Sequence, residues 1–447
     1  MSFSPVSPSP AAIDRPPRVL SDRLPEHAGE VVRLEGWLHR RRRLKSVTFA
    51  IVRDRAGLSQ VVVTDPKLRA ELAQWPEETV VSVTGRVVRN GAAPGGVEMV
   101  EPSPVVLGEA EPSPFDLYRP GLRASLPTLL DHAEVALRHP ARKAVFEIAA
   151  AAVSGFRSHL AGEGFTEVHT PKIVGSATES GANVFALDYF GDRAYLAQSP
   201  QFYKQALVGV FERVFEVGPV FRAEPHDTVR HLAQYTSLDV EFGFIDSHRD
   251  VARMLAGVIA AMLEAVTGLC PTEVKNLDIS IPRHSGEFPA IHFREALALL
   301  SRRTGEDLTG VVDLAPTHER QLGEWAATEH GSDFLLVSGY PMAKRPFYTA
   351  PEPGDPRYSD SFDLLFRGTE LVTGGRRLHR HGDYLAALEA RGESADPYAS
   401  YLSVFRHGMP PHGGFAIGLE RFVAQLVGAA NIREATLFPR DLHRLAP

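Results

Sequence analysis

The sequence has one cysteine, Cys270, in 447 residues, and this shortage excludes an intramolecular disulfide. A chain without disulfides fits a reducing compartment, so we expect a cytoplasmic location. We expect no apolar run to approach the length of a membrane span, and the Pro- and Ser-rich start lacks the apolar stretch of a signal peptide. We therefore expect no membrane association, and we interpret the first residues as a disordered tail.

Three common phosphate- and metal-binding motifs are also absent. The sequence contains no GxxxxGK[ST] phosphate loop, no GxGxxG after a strand and no paired CxxC. A bound nucleotide must therefore be held by other groups. The net charge of −7 weakly disfavours nucleic acid, but basic residues cluster in HRRRRLK at 39–45. A solvated loop is the alternative interpretation of that run.

Strand and turn signals divide the chain into a small β-domain and a large mixed domain. Five short strand-like runs over 31–108 predict a small closed barrel of the oligonucleotide-binding (OB) kind, and its basic loop favours nucleic acid. Residues 1–30 form the tail and lead-in, and a Pro-rich hinge follows the barrel over 109–140. Mixed helical and strand patterns over 141–447 predict one α/β or α+β domain.

Residues 221–241, FRAEPHDTVRHLAQYTSLDVE, concentrate charge on two neighbouring strand-like runs. Arg222 and Arg230 flank a turn-like segment, and guanidinium groups match phosphate oxygens in pairs. Tyr235 offers a face for stacking a base, while Asp239 and Glu241 are two apart and point to one side of a strand. An exposed hairpin with alternating charge is the alternative.

Two further segments complete a pattern. In GGFAIGLERFVAQL (413–426), glycines lead into an amphipathic helix, and residues without side chains allow the backbone to approach a ligand closely. Arg421, near the start of that helix, can lie on one face of an adenine with Tyr235 on the other. FTEVHTPKI (165–173) is an apolar strand that follows a long helix. These segments, with the charged strands, resemble motifs 1, 2 and 3 of the class II aminoacyl-tRNA synthetases.

Other runs narrow the resemblance to the aspartyl-tRNA synthetases, in particular their compact archaeal-type branch. It covers about residues 30–447 and implies an OB-fold anticodon-binding barrel followed by an α+β catalytic domain built on an antiparallel sheet. The loop RRRRLKSV departs from the more usual RRRDLGGV. The matching runs are ATESGANVF (177–185), AYLAQSPQFYKQ (194–205), RPFYTAP (345–351), SFDLLFRGTELVTGGRRLH (361–379) and GMPPHGGF (408–415).

The resemblance implies that ATP activates aspartate as aspartyl-adenylate and that tRNA then accepts the aspartyl group. Arg222 is expected to contact the α-phosphate, and Tyr235 and Arg421 to sandwich the adenine. Glu370 and Thr373 are expected to bind Mg²⁺ through oxygen atoms. The implied catalytic residues are Arg222, Glu370 and Arg421, and the implied ATP-binding residues are Arg222, Glu224, Arg230, His231, Leu232, Tyr235, Glu370, Gly418, Leu419, Glu420 and Arg421.

The resemblance also implies a cationic pocket for the aspartate side chain. Lys204 and Arg377 match the two family residues that bind the side-chain carboxylate of aspartate, and Asp239 is expected to orient Lys204. Glu179 matches the residue that binds the α-ammonium group, and Gln201 its neighbour. Two cations reading one carboxylate disfavour asparagine, whose amide leaves a buried cation unpaired. For Lys204 alone, a surface lysine on a helix is the alternative.

Two barrel positions bear on tRNA choice. His39 and Pro94 stand where members that charge only tRNA(Asp) tend to carry Trp and Lys, and members that also charge tRNA(Asn) tend to carry His and Pro. We therefore expect both tRNAs to be charged, with a separate amidotransferase converting Asp-tRNA(Asn). The resemblance further implies a homodimer that uses motif 1.

Four alternatives remain open at this point. The chain could be an aspartyl-tRNA synthetase restricted to tRNA(Asp), or an asparaginyl-tRNA synthetase, although Lys204 argues against the latter. An asparagine synthetase-like paralogue would lack the barrel predicted over 31–108. A non-catalytic RNA-binding relative would have lost some of the residues assigned to chemistry.

Overall fold

The computed structural model describes residues 15–176, 183–283 and 286–447. The predicted tail at 1–14 and Glu179 lie outside the described residues. The chain divides into two compact units, Met1–His139 and Pro140–Pro447.

Five strands of the first unit close into a barrel in the order β1-β2-β3-β5-β4, which confirms the predicted five-stranded OB-type fold. Alternate residues of each strand, such as Val32 and Leu34, point inward and form its core. The elements of this unit are β1 (Val31–Arg43), β2 (Thr48–Arg53), β3 (Leu58–Val63), α1 (Pro66–Leu72), β4 (Val80–Arg89), β5 (Val97–Gly108), α2 (Leu126–Asp131) and α3 (Ala133–Ala136).

The basic run at the end of β1 is folded onto neighbouring groups. The Arg41 guanidinium donates to the carbonyls of Leu72 and Ala73 at the C-terminus of α1, each at 2.9 Å, and Arg43 donates to Ala73 at 3.0 Å. These cations satisfy carbonyls that a helix end leaves unpaired. Arg42 instead lies over the Phe49 ring at 5.2 Å. The run is therefore an ordered part of the barrel.

The second unit is built on an eight-stranded sheet in the order β12-β13-β16-β17-β18-β11-β10-β6. Every pair from β13 to β10 is antiparallel, as expected for the predicted α+β domain. The elements are α4 (Pro140–Gly162), β6 (Thr166–Glu167), β7 (Ile173–Val174), β8 (Ala186–Tyr189), β9 (Asp192–Leu196), α5 (Gln201–Phe211), β10 (Arg213–Phe221), β11 (Gln234–Gly243), α6 (His248–Leu269), α7 (Pro271–Asn276), β12 (Ala290–His292), α8 (Phe293–Thr304), α9 (Pro316–Glu329), β13 (Phe334–Ser338), β14 (Pro351–Glu352), β15 (Asp355–Ser359), β16 (Ser361–Phe366), β17 (Thr369–Arg376), α10 (His381–Ala390), α11 (Ala399–Ser403), β18 (His412–Gly418) and α12 (Leu419–Val427).

Helices α4 and α6 pack on each other and contribute to the main apolar core with residues of the sheet. They approach closely at Gly155, where an added Cβ would lie 2.4 Å from the Ala261 carbonyl oxygen. Only a residue without a side chain allows the two backbones to come this near.

Helix α6 corrects one expectation from the sequence. By length and composition alone it is apolar enough to cross a membrane, so the expectation that no run is that long is wrong. Eight of its residues, however, are buried in the protein core, and its N-terminus is closed by a capping box of Ser247 and Asp250. Burial in the core explains the apolar composition without a membrane.

Candidate functional site

One face of β11 organises the candidate site. Because side chains alternate along a strand, Tyr235, Ser237, Asp239 and Glu241 all point to the same side of the sheet. The neighbouring strand β18 pairs Ser237 with Gly418, Asp239 with Ala416 and Glu241 with Gly414, so only small residues lie beside them. An added Cβ at Gly414 would lie 2.4 Å from Glu241 Oε2. The small residues of β18 therefore leave room for this polar row.

A cavity of about 360 Å³ lies at the Tyr235 end of this row, within the range of small-molecule sites. Ten of the eleven residues expected to bind ATP line it, and Leu419 does not. Thr373 lines it as well. The full lining is Arg222, Glu224, Arg230, His231, Leu232, Tyr235, Ser237, Glu370, Leu371, Thr373, Ala416, Gly418, Glu420, Arg421 and Ile432.

Tyr235 and Arg421 flank Gly418 in this cavity. An added Cβ at Gly418 would lie 3.7 Å from Arg421 Cβ and 3.8 Å from the Tyr235 ring. Arg421 Nη1 donates to the Glu370 carbonyl at 3.0 Å, which fixes its guanidinium, and the Arg222 guanidinium lies 5.7 Å from the Tyr235 ring centre. A flat aromatic ligand here would meet an aromatic ring and cationic planes.

Glu420 and Glu319 accept hydrogen bonds from backbone N–H groups beside the cavity. Both Glu420 carboxylate oxygens lie 3.0 Å from the Thr236 N–H, and burial raises the pKa of Glu420. Glu319 of α9 accepts from the Glu370 N–H and from Arg230 Nη1, each at 3.3 Å. Burial and repulsion from Glu370 raise the pKa of Glu319. The sequence analysis did not identify Glu319, which comes from a distant helix.

A β-bulge brings Glu370 and Thr373 to one face. Residues three apart on a regular strand point to opposite faces, but the pairing with β16 shifts at Leu371, so Glu370 faces Leu365 and Val372 faces Leu364. Thr373 Oγ1 consequently lies 3.3 Å from Glu370 Oε1. The two oxygen groups expected to bind a metal therefore converge.

Asp363, directly across the ladder from Thr373, adds a third oxygen group that the sequence analysis missed. Arg345 Nη2 donates to its Oδ1 at 2.9 Å. Burial raises the pKa of Asp363 to about 6, although Arg345 opposes the shift. Carboxylate and hydroxyl oxygens fit Mg²⁺, which binds few protein ligands and keeps several waters and phosphate oxygens.

At the other end of the β11 row, two buried cations share two buried carboxylates. Lys204 of α5 is only 2% exposed, and its Nζ lies 3.0 Å from Asp239 Oδ1 and 3.3 Å from Glu241 Oε2. Arg377 Nε donates to Glu241 Oε1 at 3.0 Å, and its Nη2 to the Gly414 carbonyl at 3.1 Å. Lys204, Arg377 and Asp239 therefore meet as expected, whereas Lys204 as a surface residue is excluded.

Glu241 joins the two cations, a role that the sequence analysis did not assign. Burial alone would raise the pKa of Glu241, but Arg377 and Lys204 outweigh burial, and the pKa lies below its usual range. The alternation of Asp239 and Glu241 was the sequence signal for this carboxylate, since both point to one side of β11.

Gln201 is oriented by a buried hydrogen-bond network. Its Nε2 donates to Gln205 Oε1 at 3.0 Å and lies 3.5 Å from Glu241 Oε2. Gln205 Nε2 lies 2.8 Å from His412 Nε2, and Tyr401 donates to Gln205 Oε1 at 2.8 Å. Because both contacts of Gln201 with the network use its Nε2, its side-chain carbonyl remains to accept from a ligand.

In the barrel unit, the two positions linked to tRNA choice differ in exposure. Pro94 is exposed in the loop between β4 and β5. His39 is only 6% exposed, sits at a β-bulge of β1, and its Nδ1 lies 3.0 Å from Arg53 Nη1. Arg53 in turn pairs with Glu78 through both carboxylate oxygens. Burial and Arg53 lower the pKa of His39 to about 4, so its ring is neutral near pH 7.

A polar and aromatic surface lies on β2, β3 and β5 of the barrel. Gln60 and Asn90 each donate to Glu98 Oε2 at 2.8 Å, and Phe49 carries Arg42 above its ring. OB-type barrels bind oligonucleotides on the face of their second and third strands and on the flanking loops. Pro94 belongs to one such loop and the basic run to the other.

Comparison with known proteins places this geometry in a family. The family described as "tRNA synthetases class II (D, K and N)" matches residues 125–442, and "OB-fold nucleic acid binding domain" matches residues 32–103. Proteins named Aspartate--tRNA(Asp/Asn) ligase are similar over nearly the whole chain. The one from Thermus thermophilus is 45% identical over 96% of this chain and 100% of its own, and the one from Deinococcus radiodurans is 44% identical over 96% and 99%.

A solved structure is similar as well. Asparaginyl-tRNA synthetase from Pyrococcus horikoshii, complexed with asparaginyl-adenylate, has a TM-score of 0.89 and 30% identity, and the match covers 97% of this chain and 100% of that one.

Replacing Glu241 tests the shared carboxylate. Glu241→Gln leaves two buried cations with too little negative charge, and we expect it to lower the free energy of unfolding by about 3–5 kcal/mol. Denaturant titration measures the loss. Glu389→Gln, on the exposed side of α10, is the matched control and should change stability by less than about 0.5 kcal/mol. A loss below about 1 kcal/mol for Glu241→Gln would contradict this account.

His39 should make stability depend on pH. The pKa is lowered to about 4 in the folded chain, while an unfolded imidazole titrates near 6.5. As pH falls from about 6.5 to 4, the unfolded chain takes up a proton that the folded chain does not, so this stabilisation is present above that window and is lost within it. Wild type should therefore lose more unfolding free energy than His39→Gln between pH 7 and 5. Parallel profiles for the two proteins would refute this.

Proposed function

This chain belongs to the class II tRNA synthetases of the aspartate, lysine and asparagine group, and on that premise we propose that it attaches L-aspartate to tRNA(Asp) and tRNA(Asn) with ATP. The reaction has two steps. The aspartate α-carboxylate attacks the α-phosphorus of ATP, which releases pyrophosphate and leaves aspartyl-adenylate. The terminal adenosine of the tRNA then attacks the activated carbonyl through its 3′-hydroxyl and releases AMP.

The buried pair of Lys204 and Arg377 is the observation that supports aspartate as the substrate. Lys204 donates to Asp239 and Glu241, and its longest contact, 3.5 Å, is with the Phe415 carbonyl. A substrate carboxylate would replace that weak contact with a charge-assisted hydrogen bond. The amide of asparagine would bring an N–H₂ group toward cations that donate only, which costs binding. Gln201 lies beside this pair, and Glu179 stays the predicted partner of the α-ammonium group.

Catalysis of the first step rests on positioning and charge. Arg222, Arg230 and His231 line the cavity, where Arg222 would stabilise the α-phosphate as its charge rearranges and Arg230 and His231 would bind the outer phosphates. Tyr235 and Arg421 hold the adenine. The face of β11 then carries the nucleotide at Tyr235 and the amino acid at Asp239, four residues or roughly 13 Å along the strand. The reacting carboxylate and phosphate meet between them, which lowers the barrier by orientation.

Glu370 and Thr373 would hold Mg²⁺, with Asp363 beside them. Their oxygen atoms converge because of the β-bulge, and Glu370 reaches the cavity that Arg222 and Arg421 line. Held by these residues, Mg²⁺ would supply positive charge that offsets the negative charge of the phosphates. Glu319 fixes the Glu370 backbone by accepting a hydrogen bond from its N–H.

The barrel supplies the tRNA contacts in this proposal. Arg42, Phe49 and Lys45 form a basic and aromatic edge that suits unpaired bases and phosphates. Pro94 would lie close to the anticodon, while buried His39 would act on it only through Arg53. A neutral His39 and an uncharged Pro94 offer no cation to select one anticodon base, which supports charging of both tRNAs. Asp-tRNA(Asn) would then pass to a separate amidotransferase in the cytoplasm.

An asparaginyl-tRNA synthetase is the rival that the fold allows, since one such enzyme superposes well. The buried Lys204 with its two carboxylates favours aspartate. The asparagine synthetase-like alternative is disfavoured because residues 32–103 match an OB-fold nucleic acid binding domain. A non-catalytic relative is disfavoured because Arg222, Lys204, Glu370, Arg377 and Arg421 are all present.

We also propose a homodimer through the face that bears α4. Exposed Leu437 and Phe438 lie beside Phe146 and Ala149 of α4, and such an apolar patch on a protein surface commonly marks an interface. Sedimentation velocity at micromolar concentration should give about twice the chain mass of 48.9 kDa. A single species at the chain mass would refute the dimer.

Charging of two purified tRNA transcripts tests the function. With labelled aspartate, both tRNA(Asp) and tRNA(Asn) should be charged, with a preference below about a hundredfold, or about 2.7 kcal/mol. Lys204→Met should reduce kcat/KM for aspartate by at least about a hundredfold with both tRNAs, because it removes the cation from buried Asp239 and leaves Glu241 with Arg377 alone.

Labelled asparagine is the control for the amino acid. Attachment of asparagine by the wild type would overturn the pocket assignment. Charging of tRNA(Asp) alone would leave the chemistry intact and refute the broader tRNA range.

A further inference from the structure

The loop 222–233, between β10 and β11, has no helix or strand of its own and yet carries cavity residues. Residues 225–229 are exposed, whereas Glu224, Arg230 and His231 line the cavity. An exposed loop keeps one shape only if specific contacts offset its conformational entropy. The residues that anchor this loop are therefore candidates for control of the site.

Arg433, in the turn after α12, makes the most extensive of these contacts. It is only 7% exposed. Its Nη2 donates to Asp227 Oδ1 at 2.7 Å and its Nη1 to the Thr228 carbonyl at 3.1 Å. Its Nε donates to Asp441 in the C-terminal segment. The guanidinium thus binds the loop on one side and the C-terminal segment on the other.

Asp441 is a firm anchor for Arg433. Its carboxylate also accepts the N–H groups of His443 at 2.9 Å and Arg444 at 2.8 Å. Burial would raise the pKa of Asp441, but the hydrogen bonds from Arg433 and these N–H groups outweigh it and lower the pKa. The carboxylate is therefore charged near neutral pH and fixed by its own segment.

Two backbone hydrogen bonds fix the loop on either side of its phosphate-binding residues. Ile432 N–H donates to the Val229 carbonyl at 2.9 Å, and Ala233 N–H donates to the Arg440 carbonyl at 2.7 Å. Arg230 and His231 lie between these two points. Their backbone position therefore depends on the segment 432–441.

We propose that Arg433 is a positioning residue that holds the loop 222–233 in the shape that presents Arg230 and His231 to the phosphates of ATP. The proposal rests on the proposed function, because it assigns ATP to this cavity. Arg433 does not itself line the cavity, so its effect passes through the loop. An arginine is needed because its planar fork binds three partners in fixed directions, which the single ammonium of lysine does not.

Aspartate-dependent exchange between ATP and pyrophosphate tests this step without tRNA. Arg433→Met should raise KM for ATP by about tenfold, equivalent to about 1.4 kcal/mol, and leave KM for aspartate within about twofold. Arg433→Lys should give a smaller rise in KM for ATP. A merely structural role would lower the melting temperature and change both constants alike.

Arg440→Met is the matched control. Arg440 belongs to the same segment, but among the described residues its guanidinium donates only to the carbonyls of Phe438, Pro439 and Pro447, and none of these belongs to the loop 222–233. Its backbone bond to Ala233 survives the substitution. This variant should leave KM for ATP unchanged within about twofold.

The proposal is overturned if Arg433→Met leaves KM for ATP unchanged, or if both KM values rise together. If that variant fails to fold, Asp227→Asn decides, because Asp227 is 48% exposed at its side chain and its loss spares the core. It should raise KM for ATP by about threefold or more. Calorimetry should also compare the ATP affinity of wild type with that of Asp227→Asn. Equal ATP affinities would refute the role of Arg433. Absence of aspartate-dependent exchange in the wild type would instead refute the proposed function.

Discussion

The buried carboxylate of Glu241 binds both cations of the proposed amino-acid pocket, and the positions of Lys204 and Arg377 depend on it. Lys204 comes from α5 and Arg377 follows β17, so the two cations are distant in sequence, and both bind Glu241. The charges of two cations and two carboxylates cancel, and their attraction offsets part of the free-energy cost of burying all four groups. The pocket therefore offers a substrate no net charge. In the proposed function, selectivity would come from hydrogen-bond donors that are fixed in direction, for which the small residues on β18 leave room.

The sequence predicted the parts of the site that follow from local pattern. Alternation along β11 placed Asp239 and Glu241 on one side, and the glycines before α12 indicated the close approach of Tyr235 and Arg421. The five strands of the barrel were predictable for the same reason, because each has a regular period of two. These features depend on a few residues at fixed spacing, and they need no knowledge of the rest of the chain.

Other parts depended on tertiary structure. Glu370 and Thr373 are three apart, and only the bulge at Leu371 turns both to one face. His39 was expected to influence tRNA choice, yet it is buried behind Arg53. Within the arginine run, Arg41 and Arg43 bind carbonyls at the end of α1, a contact that the run itself did not indicate. Bulges, and partners from distant segments such as Glu319 and Arg433, leave no periodic signal in a sequence.

The two ends of the β11 row differ in how they are stabilised, and the difference fits their tasks. At the proposed amino-acid end, Lys204 and Arg377 are buried and fixed by ion pairs beside the network of Gln205, Tyr401 and His412. The proposed nucleotide end is open, and Arg230 and His231, which we propose to bind phosphate, belong to a loop whose exposed part is bonded to Arg433. A pocket that must distinguish a carboxylate from an amide gains from rigidity, because a misplacement of about 1 Å can cost about a hundredfold in rate. A site that must admit ATP and release pyrophosphate needs an element that can move, and such elements come from the least packed segments of a fold.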